Sequence, residues 1–195
     1  VSLLLVIASQ AAISIHNALL FEQAQTRSEE LNLESSRLTN LNEFALQLGG
    51  MTNLEDIYNL SLEQISFMLN VPTVAIVQVS RFDHIMLVAQ RPEMTLSFTE
   101  ELGNIPLLSG LRQSRAEYYI DDVTNREDLG VLTGNYLEPL GTKSLLIVPV
   151  VVASQFWGWI WLQASVENAF GDLEMALAHA LANHIAISIV NATNF

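Results

Sequence analysis

The sequence contains no cysteine and only one lysine among its 195 residues. Without cysteine the chain has no disulfide, no thiolate metal site, no thiol nucleophile and no thioether link to a chromophore. The same absence fits a reducing, cytoplasmic compartment. With 8 basic against 21 acidic side chains, the net charge is −13. Nucleic acid binding needs clustered Lys and Arg, so we expect no contact with nucleic acid and no direct contact with a membrane.

Glycine and proline are absent before Gly49, so nothing interrupts a helix over the first 48 residues. Apolar side chains recur there at alternating steps of three and four, the pattern of a coiled coil or helix bundle. One helix over Leu3–Leu48 would be about 70 Å long, at 1.5 Å per residue. A single small domain cannot cover it, so we expect a homodimer through terminal helices. Its expected interface residues are Leu3, Val6, Ile13, Asn17, Leu20, Leu31, Leu38, Leu41 and Leu48.

The polar Asn17 within this pattern has two interpretations. It sets the register of the paired helices, or it is an ordinary surface residue. The apolar run that opens the chain contains four polar residues and no basic segment. It is also shorter than the roughly 20 residues that a spanning helix needs. We therefore expect a buried helix there, neither a membrane span nor a signal peptide.

Two similar fifteen-residue segments occur in the sequence, one near each end of the chain. Residues 7–21 read IASQAAISIHNALLF and residues 181–195 read LANHIAISIVNATNF, with eight identical positions. An internal repeat indicates a duplicated structural unit. We therefore expect residues 1–36 to be the end helix of a preceding domain, continuing as a coiled-coil linker. Residues 37–195 would form a complete second copy of that domain.

The remaining pattern predicts an α+β domain with an antiparallel sheet. Two strands are apolar on both faces, so both faces must be covered. Terminal helices would cover one face, and the segment 99–142 would cover the other as a lid. The predicted elements are a helix at about 53–69, strands at 73–80 and 84–90, a helix or two short turns at 99–115, a strand at 117–120, an irregular segment at 123–142, strands at 143–153 and 156–164, and a helix capped by Asp172 that runs to about Asn191.

Four motifs carry a family resemblance. They are FGDLE at 170–174 followed by ALANHIAISIVNA, SLLIVPV at 144–150, FWGWI at 156–160 and YYIDDV at 118–123. In this order and spacing they resemble the GAF domain family, from about Arg37 to Phe195. The resemblance implies a sensory module in a multidomain signalling protein. We expect a sensor histidine kinase of a two-component system, with ligand state relayed through dimeric helices. A ligand-free dimerisation and spacer module is the alternative.

The resemblance also bears on ligands. Family members that attach a bilin do so through cysteine, which this chain lacks. Of the cyclic-nucleotide signature only fragments occur, at Asn125-Arg126 and at Phe170 with Glu174. We expect no cofactor other than an unidentified small molecule.

No motif for catalysis or metal binding occurs in the sequence. A Gly-x-Ser-x-Gly nucleophile setting and a glycine-rich phosphate loop are both missing. His179 and His184 are five positions apart, which does not align two ligands on one helix face. We therefore expect neither an enzyme nor a metal site in this chain.

The alternation of Trp157, Trp159 and Trp161 predicts three indoles on one face of a strand, either as a pocket wall or as core. Arg112 and Arg115 are available to an anionic ligand, or they form surface ion pairs. The resemblance places residues 123–142 over the pocket as a mobile lid. The expected pocket residues are Tyr118, Ile120, Asp122, Leu146 and Val148, with Trp159 or Ile160 at the floor. A small or neutral ligand is expected.

Overall fold

The computed structural model describes residues 2–93, 98–124 and 126–193. The chain divides into two compact units, Val1–Glu43 and Phe44–Phe195. A continuous helix, α1 (Ser2–Gly49), includes all the described residues of the first unit and the first residues of the second. It ends at the Gly49-Gly50 pair, as the sequence predicts.

The predicted interface residues of α1 differ in exposure. Leu20, Leu31 and Leu38 are 50%, 62% and 57% exposed. Asn17 is exposed as well, and Leu41 is half-buried. Leu48 is only 1% exposed, so its assignment to a dimer interface is wrong, because it is already part of the core of its own domain. The side chains of Leu3, Val6 and Ile13 lie outside the described residues.

Helix α2 (Leu54–Leu69) agrees with the helix predicted at about 53–69, and an asparagine caps each of its ends. The Asn53 side chain accepts a hydrogen bond from the backbone N–H of Glu55 at 2.9 Å, which satisfies a donor of the first turn. At the other end Asn70 adopts a left-handed conformation and closes the helix. The apolar face of α2 buries Ile57, Leu62, Ile65 and Leu69.

Six strands form one sheet in which every neighbour is antiparallel. Its order is β3-β2-β1-β6-β5-β4. The strands are β1 (Thr73–Val79), β2 (His84–Arg91), β3 (Thr99–Glu101), β4 (Tyr118–Ile120), β5 (Ser144–Val152) and β6 (Gln155–Ala164). The predicted antiparallel α+β fold is confirmed.

The last helix, α4 (Asp172–Thr193), packs on β5 and on α2. It is the one helix among the described residues with the length and composition of a membrane span. Its Leu181, Ile185 and Ile189 are at most 1% exposed, so it forms part of the domain core. Asp172 is its first residue rather than its cap. The Glu174 carboxylate instead accepts from the Gly171 backbone N–H at 3.0 Å.

The segment after β2 differs from its prediction. A helix was expected to start at Thr99, but residues 99–101 pair with β2 as β3. A single 3-10 turn follows at Leu102–Asn104, and helix α3 spans Pro106–Ser114. Proline at the first helical position explains the late start, because its fixed φ suits a helix N-terminus while its ring opposes helix before it.

The two faces of the sheet follow from its register. Ile147 is opposite Trp161 and Val148 is opposite Ile160, and neighbouring residues on a strand point to opposite faces. The lid face carries Ala75, Val77, Ile120, Leu145, Ile147, Trp159 and Trp161. The helix face, covered by α2 and α4, carries Val74, Ile76, Leu146, Val148, Ile160 and Leu162.

A bulge interrupts the alternation at the start of β6. Val150 is opposite Gly158, but Val151 is opposite Phe156, so Trp157 has no partner. The Trp157 ring lies 6.1 Å from Tyr58 of α2, whereas Phe156 lies 4.8 Å from Trp159. Trp157 therefore does not share the face of the other two indoles, because a bulge changes the phase of a strand.

Gly158 lies where β1 and β6 pair at the centre of the sheet. A Cβ atom at this position would lie 2.1 Å from the carbonyl oxygen of Val77 and 3.0 Å from the Cα of Gln78. No side chain fits at the shorter distance, so the close approach of the two backbones requires glycine here.

Candidate ligand site beneath the lid

The lid, residues 123–142, contributes more buried side chains to the core than the sequence indicated. It forms a 3-10 turn at Glu127–Leu129 and a π-helical turn at Thr133–Leu137, where an irregular segment was predicted. Its buried hydrophobic residues are Val123, Leu129, Leu132, Tyr136 and Leu137, each at most 4% exposed. Four of them recur at steps of three, four and one, a short amphipathic pattern that would have revealed this helical lid.

Aromatic rings fill the space between the lid and the sheet. The Phe98 ring stacks on Trp161 with centroids 5.6 Å apart, and it lies 5.0 Å from Tyr136. Tyr136 and Trp161 are themselves 5.8 Å apart. The interpretation of Trp159 and Trp161 as core residues fits this packing, since both are fully buried on the lid face.

A chain of polar side chains crosses this apolar core. The Thr142 hydroxyl donates to Oε1 of Gln163 at 2.8 Å, and Nε2 of Gln163 donates to the Tyr136 hydroxyl at 3.4 Å. The Tyr136 hydroxyl donates in turn to Oε1 of Gln90 at 3.0 Å. Burial raises the pKa of Tyr136 to about 12, because the phenolate would lose its hydration.

Two buried donors in this core have no partner among the described residues. They are the indole N–H groups of Trp159 and Trp161, and both side chains are fully buried. Leaving such a group without a hydrogen bond costs about 1 to 3 kcal/mol. The Thr133 hydroxyl of the lid is likewise buried without a partner. Buried polar groups are normally paired, so these three groups have hydrogen-bonding capacity that the described residues do not use.

Arg126 forms an ion pair with Asp128 inside the lid and contacts Tyr118 of β4. Nε and Nη2 of Arg126 donate to the Asp128 carboxylate at 2.8 and 2.6 Å. The Arg126 guanidinium also lies 6.0 Å from the centre of the Tyr118 ring. The hydrogen bond from Arg126 lowers the pKa of Asp128. We call Arg126, Asp128 and Tyr118 the lid clasp.

The sheet divides the predicted pocket residues between its two faces. Ile120 and Trp159 belong to the lid-side core, and Tyr118 packs against it. Leu146, Val148 and Ile160 point to the helix face instead, so their assignment to the same pocket is wrong. The error came from the unknown strand phase, which the register settles.

Asp122 precedes the lid and is half-buried. Its carboxylate accepts from the Thr124 backbone N–H at 2.8 Å. Hydrogen bonds from Thr124 lower the pKa of Asp122. This side chain therefore shapes the turn that enters the lid.

Arg112 and Arg115 do not lie beneath the lid. Both line a separate cleft that also contains Asp83 and Phe156. Arg112 forms an ion pair with Asp83. Their predicted contact with the ligand of the lid-side pocket is therefore wrong, because α3 carries them to the rim of the sheet.

Histidine and carboxylate side chains do not gather into a metal site. Within residues 2–93, 98–124 and 126–193, no three such side chains are grouped so as to hold a metal ion. His179 has one carboxylate nearby, with its Nδ1 3.6 Å from Oε2 of Glu117.

Comparison with known proteins identifies the fold. The family model for the GAF domain matches residues 53–189. The GAF domain of an Acinetobacter phosphoenolpyruvate-protein phosphotransferase is similar, with a TM-score of 0.69, 17% identity, and coverage of 82% of this chain and 95% of that one. The phycocyanobilin-bound GAF domain of a cyanobacterial phytochrome has a TM-score of 0.66 and 18% identity, covering 81% and 96%.

A third similar structure is the GAF domain of a two-component sensor histidine kinase from Bacillus halodurans. Its TM-score is 0.64 at 18% identity, with coverage of 74% of this chain and 98% of that one. No curated protein sequence matches. At these identities the solved structures show the fold alone, whereas the family model covers well over half of the sequence. This chain therefore belongs to the GAF domain family, whose domains are sensory and signalling modules.

Proposed function

We propose that this chain is a cytoplasmic sensory domain that binds a small ligand between the lid and the sheet. The observation that carries the proposal is the pair of buried indole donors on Trp159 and Trp161 without a partner among the described residues. The Trp161 ring lies 5.8 Å from Tyr136, which belongs to the polar chain that runs from Thr142 to Gln90. A ligand with two or more acceptor atoms would satisfy both donors.

The surroundings of these donors define the ligand class. No charged side chain is fully buried among the described residues, so a charged ligand would lose its hydration beneath the lid without a buried counter-charge. Trp161 packs among the rings of Phe98 and Tyr136, and aromatic surroundings of this kind suit a flat molecule. The proposed ligand is therefore a neutral, planar ring system with hydrogen-bond acceptors, held without a thioether bond.

The indole N–H signals provide a direct test. In a nitrogen–proton correlation spectrum of the whole chain, the three tryptophans give three side-chain signals, which Trp→Phe variants assign. We expect a neutral heterocycle, from a panel of nucleobases, nucleosides, pteridines and flavins, to shift the signals of Trp159 and Trp161. The signal of Trp157, near Tyr58 on the other face, serves as the internal control.

Binding should also raise the melting temperature, since a ligand that prefers the native state stabilises it by mass action. The same rise is expected in Trp157→Phe and is reduced in Trp161→Phe. A panel that neither shifts the two signals nor changes the melting temperature would contradict ligand sensing. The full burial of the lid-side core favours a ligand-free spacer in that case, with water or no partner at the two donors.

The second part of the proposal is that the signal passes through a parallel or antiparallel homodimer of α1. Its support is the exposure of Leu20, Leu31 and Leu38 at coiled-coil spacing, which a second copy of the helix would cover. A ligand that moves the lid would alter the sheet, whose other face packs on α2 and α4. Two discrete helix arrangements would then carry the state onward.

Light scattering tests the dimer. We expect a dimer mass at micromolar concentration, and a monomer when Leu31 and Leu38 are both replaced by Asp, since carboxylates in the interface must lose hydration. Leu46→Asp is the matched control, because Leu46 is 78% exposed on the same helix but outside the repeating positions. A monomer mass for the unaltered chain would contradict the dimer.

A further proposal concerns the longer protein to which this chain would belong. We propose that residues 1–36 are the end helix of a preceding GAF domain, continuing as a linker, and that residues 37–195 are the second domain of a tandem array. The repeat shared by residues 7–21 and 181–195 supports this. The proposed output is a histidine kinase, and the similar domain from a Bacillus halodurans sensor kinase is consistent with that role. The sequence of the full-length protein tests both points.

A further inference from the structure

A second cleft, of about 490 Å³, lies where α3 meets the turns of the β1–β2 and β5–β6 hairpins. Its volume is within the range of small-molecule sites, roughly 300 to 1,000 Å³. Arg112 and Arg115 line it together with the apolar residues Leu102 and Phe156. None of the described residues lining it comes from the lid, so it is separate from the proposed lid-side site.

The charge of this cleft is opposite to that of the chain. Two guanidinium groups face one carboxylate, that of Asp83, in a protein of net charge −13. One positive charge therefore remains in the cleft after Arg112 and Asp83 pair. An acidic protein repels anions in general, so a local positive site selects where an anion can bind.

Both arginines keep donors for a ligand. Arg112 donates through Nη1 to Asp83 at 2.5 Å, and Arg115 donates through Nη1 to the carbonyl oxygen of Ser154 at 3.1 Å. A guanidinium has five N–H donors, and these are the hydrogen bonds that the two groups make with described residues. The remaining donors match the two oxygens of a carboxylate.

These two contacts also hold the arginines in place. Arg112 bonds to a residue 29 positions away and Arg115 to one 39 positions away, so both side chains bridge α3 to a hairpin turn. A free arginine would lose rotamer entropy when it bound a ligand. Much of that loss has already occurred here, which favours binding.

We propose that this cleft binds a small monocarboxylate with an apolar body. The carboxylate would bind the free donors of Arg115 and Arg112, with the exposed amides of Gln113 and Gln155 at the rim. The apolar body would lie on Leu102 and Phe156. A single excess positive charge matches a monoanion, and the apolar floor separates this ligand from a bare ion. The inference does not depend on a ligand beneath the lid.

The test is a titration of the whole chain with benzoate, followed by backbone amide signals. Benzamide keeps the ring but removes the charge, and inorganic phosphate at matched ionic strength supplies charge without an apolar body. We expect saturable shifts for Gly103, Gln113 and Gln155 with benzoate, and weaker binding of both other probes. Equal binding of benzamide, equal binding of phosphate, or shifts that never saturate would each overturn the proposal.

Variants locate the site. Arg115→Gln should weaken benzoate binding about tenfold, the loss expected for a charge-assisted hydrogen bond. Arg112→Gln should weaken it as well, while Arg37→Gln removes an exposed arginine of α1 outside the cleft and should leave it unchanged. Unaltered amide spectra elsewhere would show that the variants are folded. If all three variants bind benzoate as tightly as the original chain, the assignment is wrong.

Discussion

The two faces of the sheet differ in how they treat buried polar groups. On the helix face the hydroxyls of Ser61 and Ser188 donate to carbonyl oxygens of their own helices, at 2.6 and 3.0 Å. On the lid face, Tyr136 and Gln163 bond across elements, and two indole donors lack partners among the described residues. The helix face carries one buried group without a partner among the described residues, the Tyr119 hydroxyl opposite Leu146. The lid side carries three, the two indoles and the Thr133 hydroxyl, so it leaves more hydrogen-bonding capacity for a ligand.

The largest expected effect on stability is at Gly158, where β1 and β6 pair at the centre of the sheet. Gly158→Ala should lower the free energy of unfolding by more than about 5 kcal/mol, beyond the usual range for one substitution, since the new methyl group would overlap the backbone carbonyl of Val77. Gly110→Ala in α3 is the matched control. Nothing lies within 4 Å of its added methyl group, so helix propensity should raise stability by about 0.5 to 1 kcal/mol. Chemical denaturation measures both, and similar values would contradict the close approach at Gly158.

Two substitutions that each create a cavity, one on either side of the sheet, test whether the two faces are independent. Ile185 on α4 and Leu137 in the lid are both fully buried. Each change to Ala should cost about 2 to 5 kcal/mol. The cost should be lower for Leu137, because a lid can settle into the space whereas α4 is fixed between β5 and α2. Only Leu137→Ala should shift the indole signals of Trp159 and Trp161. A shift caused equally by Ile185→Ala would show that the faces are not independent.

Breaking the polar chain of the lid face should lower stability by less than the cavity substitutions do. Tyr136→Phe removes the hydroxyl that accepts from Gln163, at a cost of about 1 to 3 kcal/mol for a buried group left unpaired. The pKa of Tyr136 is raised from 10.0 to about 12. Its contribution to stability is therefore present below pH 10 and is lost as the pH rises through 12. Absorbance titration should show a tyrosine that ionises near pH 12 and disappears in the variant, while Tyr58, whose pKa burial also raises, remains.

Breaking the lid clasp should have the smallest effect on global stability, and its main effect should be on the local opening of the lid. The folded-state pKa of Asp128 is lowered from 3.8 by its bond to Arg126, so the stabilisation is present above about pH 4 and is lost as the pH falls through the folded value. Asp128→Asn should change global stability by less than about 1 kcal/mol. It should nevertheless speed hydrogen exchange across residues 126–137 at neutral pH. Glu127→Gln, an exposed neighbour, is the control and should exchange normally.

Much of the fold could be predicted because its signals are local. The ends of α1 and α2 follow from Gly49 and Asn53, and the strands follow from apolar runs between turn residues. Such signals act within one or two turns of the chain. The predicted α+β class and the antiparallel sheet therefore agreed with the structure. The family resemblance agreed with the family model as well.

The candidate site was less predictable because it depends on pairing. The bulge that moves Trp157 away from Trp159 exists only because β5 passes this point with one residue fewer. The phase of β5, which decides whether Leu146 or Ile147 faces the lid, is likewise set by its partners. Arg115 lies in its cleft because α3 ends beside the β5–β6 turn. None of these relations is written in a local pattern.

The strand order β3-β2-β1-β6-β5-β4 also has a consequence for folding kinetics. Each half of the sheet is contiguous in sequence, whereas the central β1–β6 pair joins Thr73 to Gln163, 90 positions away. Hairpins close within about 1 to 10 μs, but a pairing of such long range must first overcome a large loop-closure entropy. We therefore expect the two halves to form as local units, and their pairing beside Gly158 to be the rate-limiting step of folding, in which both faces of the sheet form together.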